Sequence, residues 1–206
     1  MNRRSLLSLA AAACAAALTI SAPSAQANDA RELARISAYL NSISTLAGDF
    51  VQIDPDGVLS EGRFLISRPG RIRFEYNEPN PALVIADGFW VGVVDKRYSQ
   101  IDRYPLSETP LNLILKDDVN LAKEGAVREI QRSEDQMRVL ALDPDYPERG
   151  SITLVFGANP LELRQWIIDD SQGGVTTVAL SETRAGIDID PKEFVIPGRG
   201  TSGGDR

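Results

Sequence analysis

The chain changes its hydrophobic period once. Over residues 29–47 apolar positions recur at spacings of three and four, as Leu33, Ile36, Leu40, Ile43 and Ala47. Arg31, Glu32, Arg35 and Asn41 fall on the other faces. That pattern predicts one amphipathic helix. Asp29 is its expected N-cap with Glu32 three residues on, and Gly48 is placed to stop it.

After Gly48 the period becomes two. Residues 62–67 alternate, Pro69-Gly70 makes a turn, and Arg71-Ile72-Arg73-Phe74-Glu75-Tyr76 sets three apolar side chains against three charged ones. Further strands are predicted at 82–86, 89–94, 97–104, 126–132, 137–142, 151–156, 161–169 and 175–184. Asp87-Gly88, Asp95-Lys96, Glu134-Asp135, Asp143-Pro144-Asp145, Asn159-Pro160 and Gln172-Gly173-Gly174 supply the turns. The expected fold is mainly β (α+β): about ten or eleven short strands in one curved antiparallel sheet or incomplete barrel. Within 109–115, Pro110 opens a short apolar run, Leu111, Leu113, Ile114 and Leu115. It predicts a second short helix that covers the open face of the sheet together with the first. A sheet of this size encloses space that side chains need not fill.

The N-terminus changes the picture of where the chain works. Arg3 and Arg4 precede a run of apolar residues over 6–20, and Ala25-Gln26-Ala27 offers small residues at the positions a signal peptidase inspects. The run is short for a membrane span, which needs roughly 20 residues. A cleaved signal peptide over 1–27, with Asn28 as the first mature residue, is therefore expected. One domain over 28–196 and a disordered tail over 197–206 would follow. The paired arginines also loosely fit a twin-arginine signal. Cys14 follows three alanines, not a leucine-led box, and does not read as a lipid-attachment site.

The 206 residues include no histidine, and Cys14 is the only cysteine. This excludes Ser-His-Asp and Cys-His nucleophilic machinery, histidine-based metal sites and a disulfide in the mature chain. Residues 28–206 keep all 29 acidic residues and lose two of the 22 basic ones, a net charge of −9. Nucleic acid is not an expected partner at that charge.

The motifs that resemble chemistry are poor ones. The glycines at 198, 200 and 203 spell G-x-G-x-x-G in the terminal tail, where no helix follows to bind a pyrophosphate. Asp188 and Asp190 lack the glycine and glutamate of a calcium loop. Asp117-Asp118 and Asp169-Asp170 are neighbours at the ends of apolar segments, so their carboxylates do not converge as an acid and base would. No catalytic residue, metal site or cofactor is expected.

One stretch carries more specific information. Leu40-Asn-Ser-Ile43-Ser-Thr-Leu46-Ala-Gly-Asp-Phe50-Val-Gln52 is followed by Gly62-Arg-Phe64-Leu-Ile66-Ser-Arg68-Pro69-Gly70-Arg-Ile72-Arg-Phe74-Glu-Tyr76. Glu78-Pro79, Asp87-Gly88-Phe-Trp90 and Thr109-Pro110-Leu111 come next. In order and spacing these resemble LolA, the outer-membrane lipoprotein carrier family of Gram-negative bacteria. The resemblance covers most of the mature chain, weakens after Val119, and returns at Asp190-Pro191-Lys-Glu-Phe194.

The resemblance implies an incomplete β-barrel with helices as a lid over an apolar cavity for the acyl chains of lipoproteins. It implies receipt of cargo from the inner-membrane, ATP-driven Lol transporter, and delivery to the outer membrane, commonly to LolB. Arg68 matches the family's lid-locking arginine, whose acceptors here would be carbonyls near Leu40, Ile114 and Leu115. Phe74 departs from the tryptophan that many members carry. Counted from Phe64 and Ile66, Arg68 falls on the apolar face, where an arginine needs acceptors because an unpaired buried charge costs several kcal/mol. Carbonyls at helix ends are ready acceptors. Strand phase and helical phase nominate the cavity lining: Leu40, Ile43, Phe64, Ile66, Ile72, Phe74, Tyr76, Trp90, Leu111 and Ile114. A monomeric periplasmic carrier is the expected function. The alternatives are a lipid hydrolase on the same barrel and a half-barrel sensor that binds a partner protein.

Overall fold

A computed structural model describes residues 25–198, apart from Ser99 and Glu124. Residues 1–24 of the signal peptide expected over 1–27, Cys14 among them, and most of the glycine motif in the tail lie outside the described residues.

The chain opens with helix α1 (Ala25–Ser42) and continues into eleven strands. These are β1 (Thr45–Ile53), β2 (Leu59–Ser67), β3 (Arg71–Tyr76), β4 (Ala82–Asp87), β5 (Trp90–Asp95), β6 (Gln100–Pro105), β7 (Val127–Arg132), β8 (Gln136–Leu142), β9 (Gly150–Gly157), β10 (Glu162–Asp170) and β11 (Val175–Ala185). A short helix α2 (Asn112–Leu115) sits in the connection from β6 to β7. All strands join one antiparallel sheet in the order β6-β5-β4-β3-β2-β1-β11-β10-β9-β8-β7. The sheet is two meanders joined where β1 pairs with β11, and β6 and β7 are its unpaired edges. It is therefore an incomplete barrel, not a closed one.

Two expectations about the N-terminal region are corrected. The helix runs from Ala25 to Ser42, not from Asp29 to Ala47, and residues 45–53 form a strand that the periodicity did not separate from it. Leu40, Ile43 and Ala47 keep helical spacing by coincidence across the join. The stretch Ser42-Ile43-Ser44-Thr45 favours strand and cap conformations over helix. Gly48 does not stop the helix. It lies in β1 at the bulge against β11, where a Cβ would stand 2.6 Å from the Ser181 carbonyl oxygen. A glycine at a bulge under a close backbone approach is the physical reading.

Strand alternation divides the sheet into two apolar faces. The concave face carries Phe50, Phe64, Ile66, Ile72, Phe74, Met137, Val139, Ile152, Leu154, Phe156 and Trp166. These form one buried cluster with Leu33, Ile36 and Leu40 of α1 and with Ile114 and Leu115 of α2. The convex face carries a smaller cluster of Leu83, Ile85 and Val94, covered by Phe194 and Ile196 from the C-terminal segment. That segment returns along the back of β3–β6 through a 3-10 turn at Pro191–Phe194, capped by the Asp190 side chain.

Candidate functional site

The concave interior is apolar and aromatic at its centre. Phe50 meets Phe74 and Tyr76 edge-on at ring-centroid distances of 4.7 and 5.0 Å. Phe64 stacks on Phe74 at 5.9 Å, and Trp166 stands edge-on to Phe74 at 5.9 Å. Rings arranged edge-to-face gain beyond simple area burial. One polar group enters this floor. The Tyr76 hydroxyl donates to Gln52 Oε1 at 2.7 Å, and burial pushes its pKa up to about 12.

Over this floor lies a cover built from α1 and from α2 with the segment that follows it. The i, i+3, i+7 stripe of Leu33, Ile36 and Leu40 turns inward. Ser37, on the same side of the helix, spends its hydroxyl twice: it donates to the Leu33 carbonyl at 2.7 Å and accepts the Leu121 N–H at 3.0 Å.

Arg68, immediately after β2, fastens both parts of the cover. Its Nη1 donates to the Leu40 carbonyl at the C-terminal end of α1. Its Nη2 is shared among the Lys116 carbonyl, the Asp117 carbonyl at 3.3 Å and Asn41 Oδ1 at 3.0 Å. The final turn of α1 leaves carbonyls without helical partners and carries the negative end of the helix dipole, so a guanidinium is the natural group there. Burial pushes the Arg68 pKa down, while the carboxylates of Asp117 and Asp118 push it back up; the side chain stays charged. Its Nε is buried without a hydrogen-bond partner among the described residues.

Asn41 completes the fastening, and sequence reasoning missed it. Its Oδ1 accepts from Arg68 Nη2 and from the Val119 N–H at 2.9 Å. Its Nδ2 donates to Asp118 Oδ1 at 3.1 Å and to the Val119 carbonyl at 3.0 Å. An amide offers two acceptor sites and two donors, and all four are occupied. A single asparagine on the exposed side of an amphipathic stripe gave no signal of this.

The nominated residues fall as follows. Leu40, Phe64, Ile66, Ile72, Phe74, Tyr76 and Ile114 are buried together in the concave cluster, with Ile43 and Leu111 packed partly buried against it. Trp90 is a correction: it lies on the convex face, 39% exposed, beside Asp87, Arg103 and Ile196. Strand β5 starts at Trp90, and its inward phase belongs to Val91. The acceptors near α2 also shift. The Leu115 carbonyl accepts from the Gly70 N–H at 2.8 Å, and Arg68 reaches one and two residues further, to Lys116 and Asp117. Trp166 was missed, because Gln165-Trp166-Ile167-Ile168 does not alternate.

Among the described residues no group of histidine, cysteine and carboxylate side chains could hold a metal, and no helix is long and apolar enough to cross a membrane. The fold and this site define a class: an incomplete β-barrel whose apolar interior is covered by α1 and by α2 with the segment that follows it. Residues 41–197 match the family described as outer membrane lipoprotein carrier protein LolA. The chain belongs to that family. It is 28% identical over 169 residues to the outer-membrane lipoprotein carrier protein of Methylococcus capsulatus, covering 78% of this chain and 80% of that one. It is also 28% identical over 195 residues to the protein of the same description from Chromobacterium violaceum, covering 91% of each. Among solved structures, a domain-of-unknown-function family protein from Desulfovibrio piger shares the fold, with TM-score 0.50, 10% identity, and coverage of 82% of this chain and 96% of that one.

Proposed function

We propose that the chain is a periplasmic carrier that shields the acyl chains of lipoproteins in its concave interior and moves them from the inner to the outer membrane. Its donor is the inner-membrane, ATP-driven Lol transporter, and its acceptor is LolB or the membrane itself. The observation that carries this reading is one arginine fastening both halves of a cover over an aromatic, apolar floor. Each acyl CH2 withdrawn from water gains about 0.8 kcal/mol, so an acylated protein does not cross an aqueous space unshielded. Floor and cover are in contact here, with Phe64 and Ile72 at 0% exposure. Acyl chains therefore enter only when the cover lifts, and the Arg68 bonds oppose loading while favouring release.

Loading the purified protein with an acylated lipoprotein and offering it to outer-membrane vesicles tests the reading. Soluble complex followed by transfer supports it. A protein that keeps no acylated cargo in solution refutes it, and capture of a partner protein without lipid would point to a sensor.

A further inference from the structure

A cleft of about 520 Å³ opens as a seam between the β5–β6 part of one meander and the segment before β9 and the end of β10 in the other. One wall comes from Val91 and Tyr104 of β5 and β6 and from residues 108–111. The other comes from Arg149, ahead of β9, and from Ile168, Asp170, Ser171 and Gln172 at and after the end of β10. The volume lies within the roughly 300–1,000 Å³ typical of small-molecule sites. Its floor is not an isolated patch, because Val91 belongs to the concave cluster and Leu111 and Ile168 pack against it.

The other cavities differ in that respect. One of about 430 Å³ lies at the hairpin tips by Val58, Leu59 and Pro79, and one of about 290 Å³ lies on the convex face by Trp90 and Ile196. None of the side chains just named belongs to the concave cluster.

The rim of the seam is polar and already bridged. Arg149 Nη1 donates to the Ser107 carbonyl at 2.9 Å, from one wall to the chain of the other, and its guanidinium lies 3.7 Å from the centre of the Tyr146 ring. The Asp170 carboxylate is held by its own turn, accepting the N–H groups of Gln172 at 2.8 Å and Gly174 at 2.9 Å. Arg149 is thus a charged donor placed at the rim. A guanidinium carries five N–H donors in a rigid fork, enough to hold Ser107 and a further carbonyl together. Such a cleft suits a ligand that is hydrocarbon at one end and peptide-like at the other.

We propose that the seam cleft binds the polar junction of an acylated cysteine. The first methylenes of the acyl chains lie on Val91, Leu111 and Ile168, and Arg149 donates to the amide or ester carbonyls where chain meets peptide. The proposal rests on the carrier reading and adds where the cargo crosses from the apolar interior to water.

The probe is a synthetic tripalmitoylated cysteinyl peptide. Photoreactive side chains are introduced singly at Leu111, Ile168 and, for comparison, Val58. Crosslinking at 111 and 168 well above that at 58 is expected. Arg149→Ala should weaken lipopeptide binding about tenfold, the size of one lost charge-assisted bond, while leaving the affinity for a purely hydrocarbon dye unchanged. Arg149→Lys should lie between, retaining charge without the fork. Equal crosslinking at 58, or parental lipopeptide affinity in Arg149→Ala, overturns the seam site. A protein that binds the lipopeptide but crosslinks elsewhere sinks the seam alone, whereas one that binds no lipopeptide sinks the carrier reading with it.

Discussion

Both faces of the sheet carry an apolar cluster beneath a short cover, and the two covers are fastened by different physics. On the convex face the C-terminal segment seats Phe194 and Ile196 against Leu83, Ile85 and Val94. Gly92 leaves the space that Ile196 fills, since a Cβ there would stand 2.7 Å from Ile196 Cγ2. Arg73 then pairs with two carboxylates, Glu75 at 3.2 Å and Glu193 at 3.5 Å, and Arg103 donates to the Pro197 carbonyl at 3.0 Å. On the concave face Arg68 is half-buried and donates to carbonyls and one amide, with Nε unpartnered. The first cover is held by close packing with ion pairs around it. The second is packed through Leu33, Ile36, Leu40, Ile114 and Leu115 and is joined at its edge by uncharged acceptors gathered around one arginine. On the carrier proposal, the first is the cover that stays and the second the cover that opens.

The largest expected effect tests whether the convex cover is structural. Phe194 is 3% exposed, and Phe194→Ala should cost about 3–5 kcal/mol of unfolding free energy, read by denaturant titration. Below the unfolding transition, lipoprotein transfer should match the parent. A variant of parental stability, or one that stays folded and loses transfer, would erase the distinction between the covers.

Arg68→Leu probes the other side. Each charge-assisted bond lost should shift the lid equilibrium by about 1.5–3 kcal/mol, roughly one to two decades in the open-to-closed ratio. The variant should fold, hold cargo longer and deliver it more slowly. Because Asn41 shares Nη2 and ties Asp118 and Val119 to α1, combining Arg68→Leu with Asn41→Ala should give less than the sum of the single effects. Strict additivity, or parental transfer by Arg68→Leu, would show that the fastening does not govern opening.

How much of this contrast was legible in the sequence follows from how each part is encoded. Strands β2 and β3 announced their inner faces through strict alternation, and the buried positions Phe64, Ile66, Ile72, Phe74 and Tyr76 follow that phase. Arg68 was legible because it continued the apolar phase of Phe64 and Ile66, where a charge demands acceptors. The convex cover was not anticipated, although a signal existed. Leu83-Val84-Ile85-Ala86 does not alternate, and a strand apolar on both faces is buried on both. Trp90 was misplaced because a turn resets strand phase, and one residue of slip reverses every side chain. Asn41 was invisible for a different reason: an asparagine acquires its four partners only from tertiary geometry.

Alkali should act on the concave face first. Tyr76 ionises near 12 in the folded protein because burial disfavours the phenolate, against about 10 in an unfolded chain. An acid with a raised folded pKa stabilises the fold while both states are protonated. That contribution, up to about 2.7 kcal/mol for a two-unit shift, is present below pH 10 and lost as pH rises towards 12. Ultraviolet titration should show one tyrosine ionising last, together with loss of the concave packing. A Tyr76→Phe variant should flatten this alkaline limb. If the limb is unchanged, burial of Tyr76 is not its cause.

Acid should act on the convex face, and weakly. The Glu75 carboxyl is held below its ordinary range by the Lys96 ammonium at 3.1 Å and by Arg73, with burial opposing them. A carboxyl with a depressed folded pKa stabilises the fold above its unfolded value, about 4.3, and the contribution disappears as pH falls through the folded one. Glu75 is 40% exposed, so solvent screening leaves under about 1 kcal/mol. Its loss removes one of the two carboxylates that position the Arg73 guanidinium, which also donates to the Glu193 carbonyl. Hydrogen-exchange protection at residues 193–196 should therefore fall modestly more between pH 7 and pH 4 than protection in α1. Arg68 itself donates to carbonyl and amide oxygens that do not titrate, and the concave fastening hydrogen-bonds a carboxylate only through Asn41 and Asp118, so its acid dependence should be smaller. Glu75→Gln should remove the difference at residues 193–196. Equal acid loosening of both covers in the parent would mean that they are not fastened by different chemistry after all.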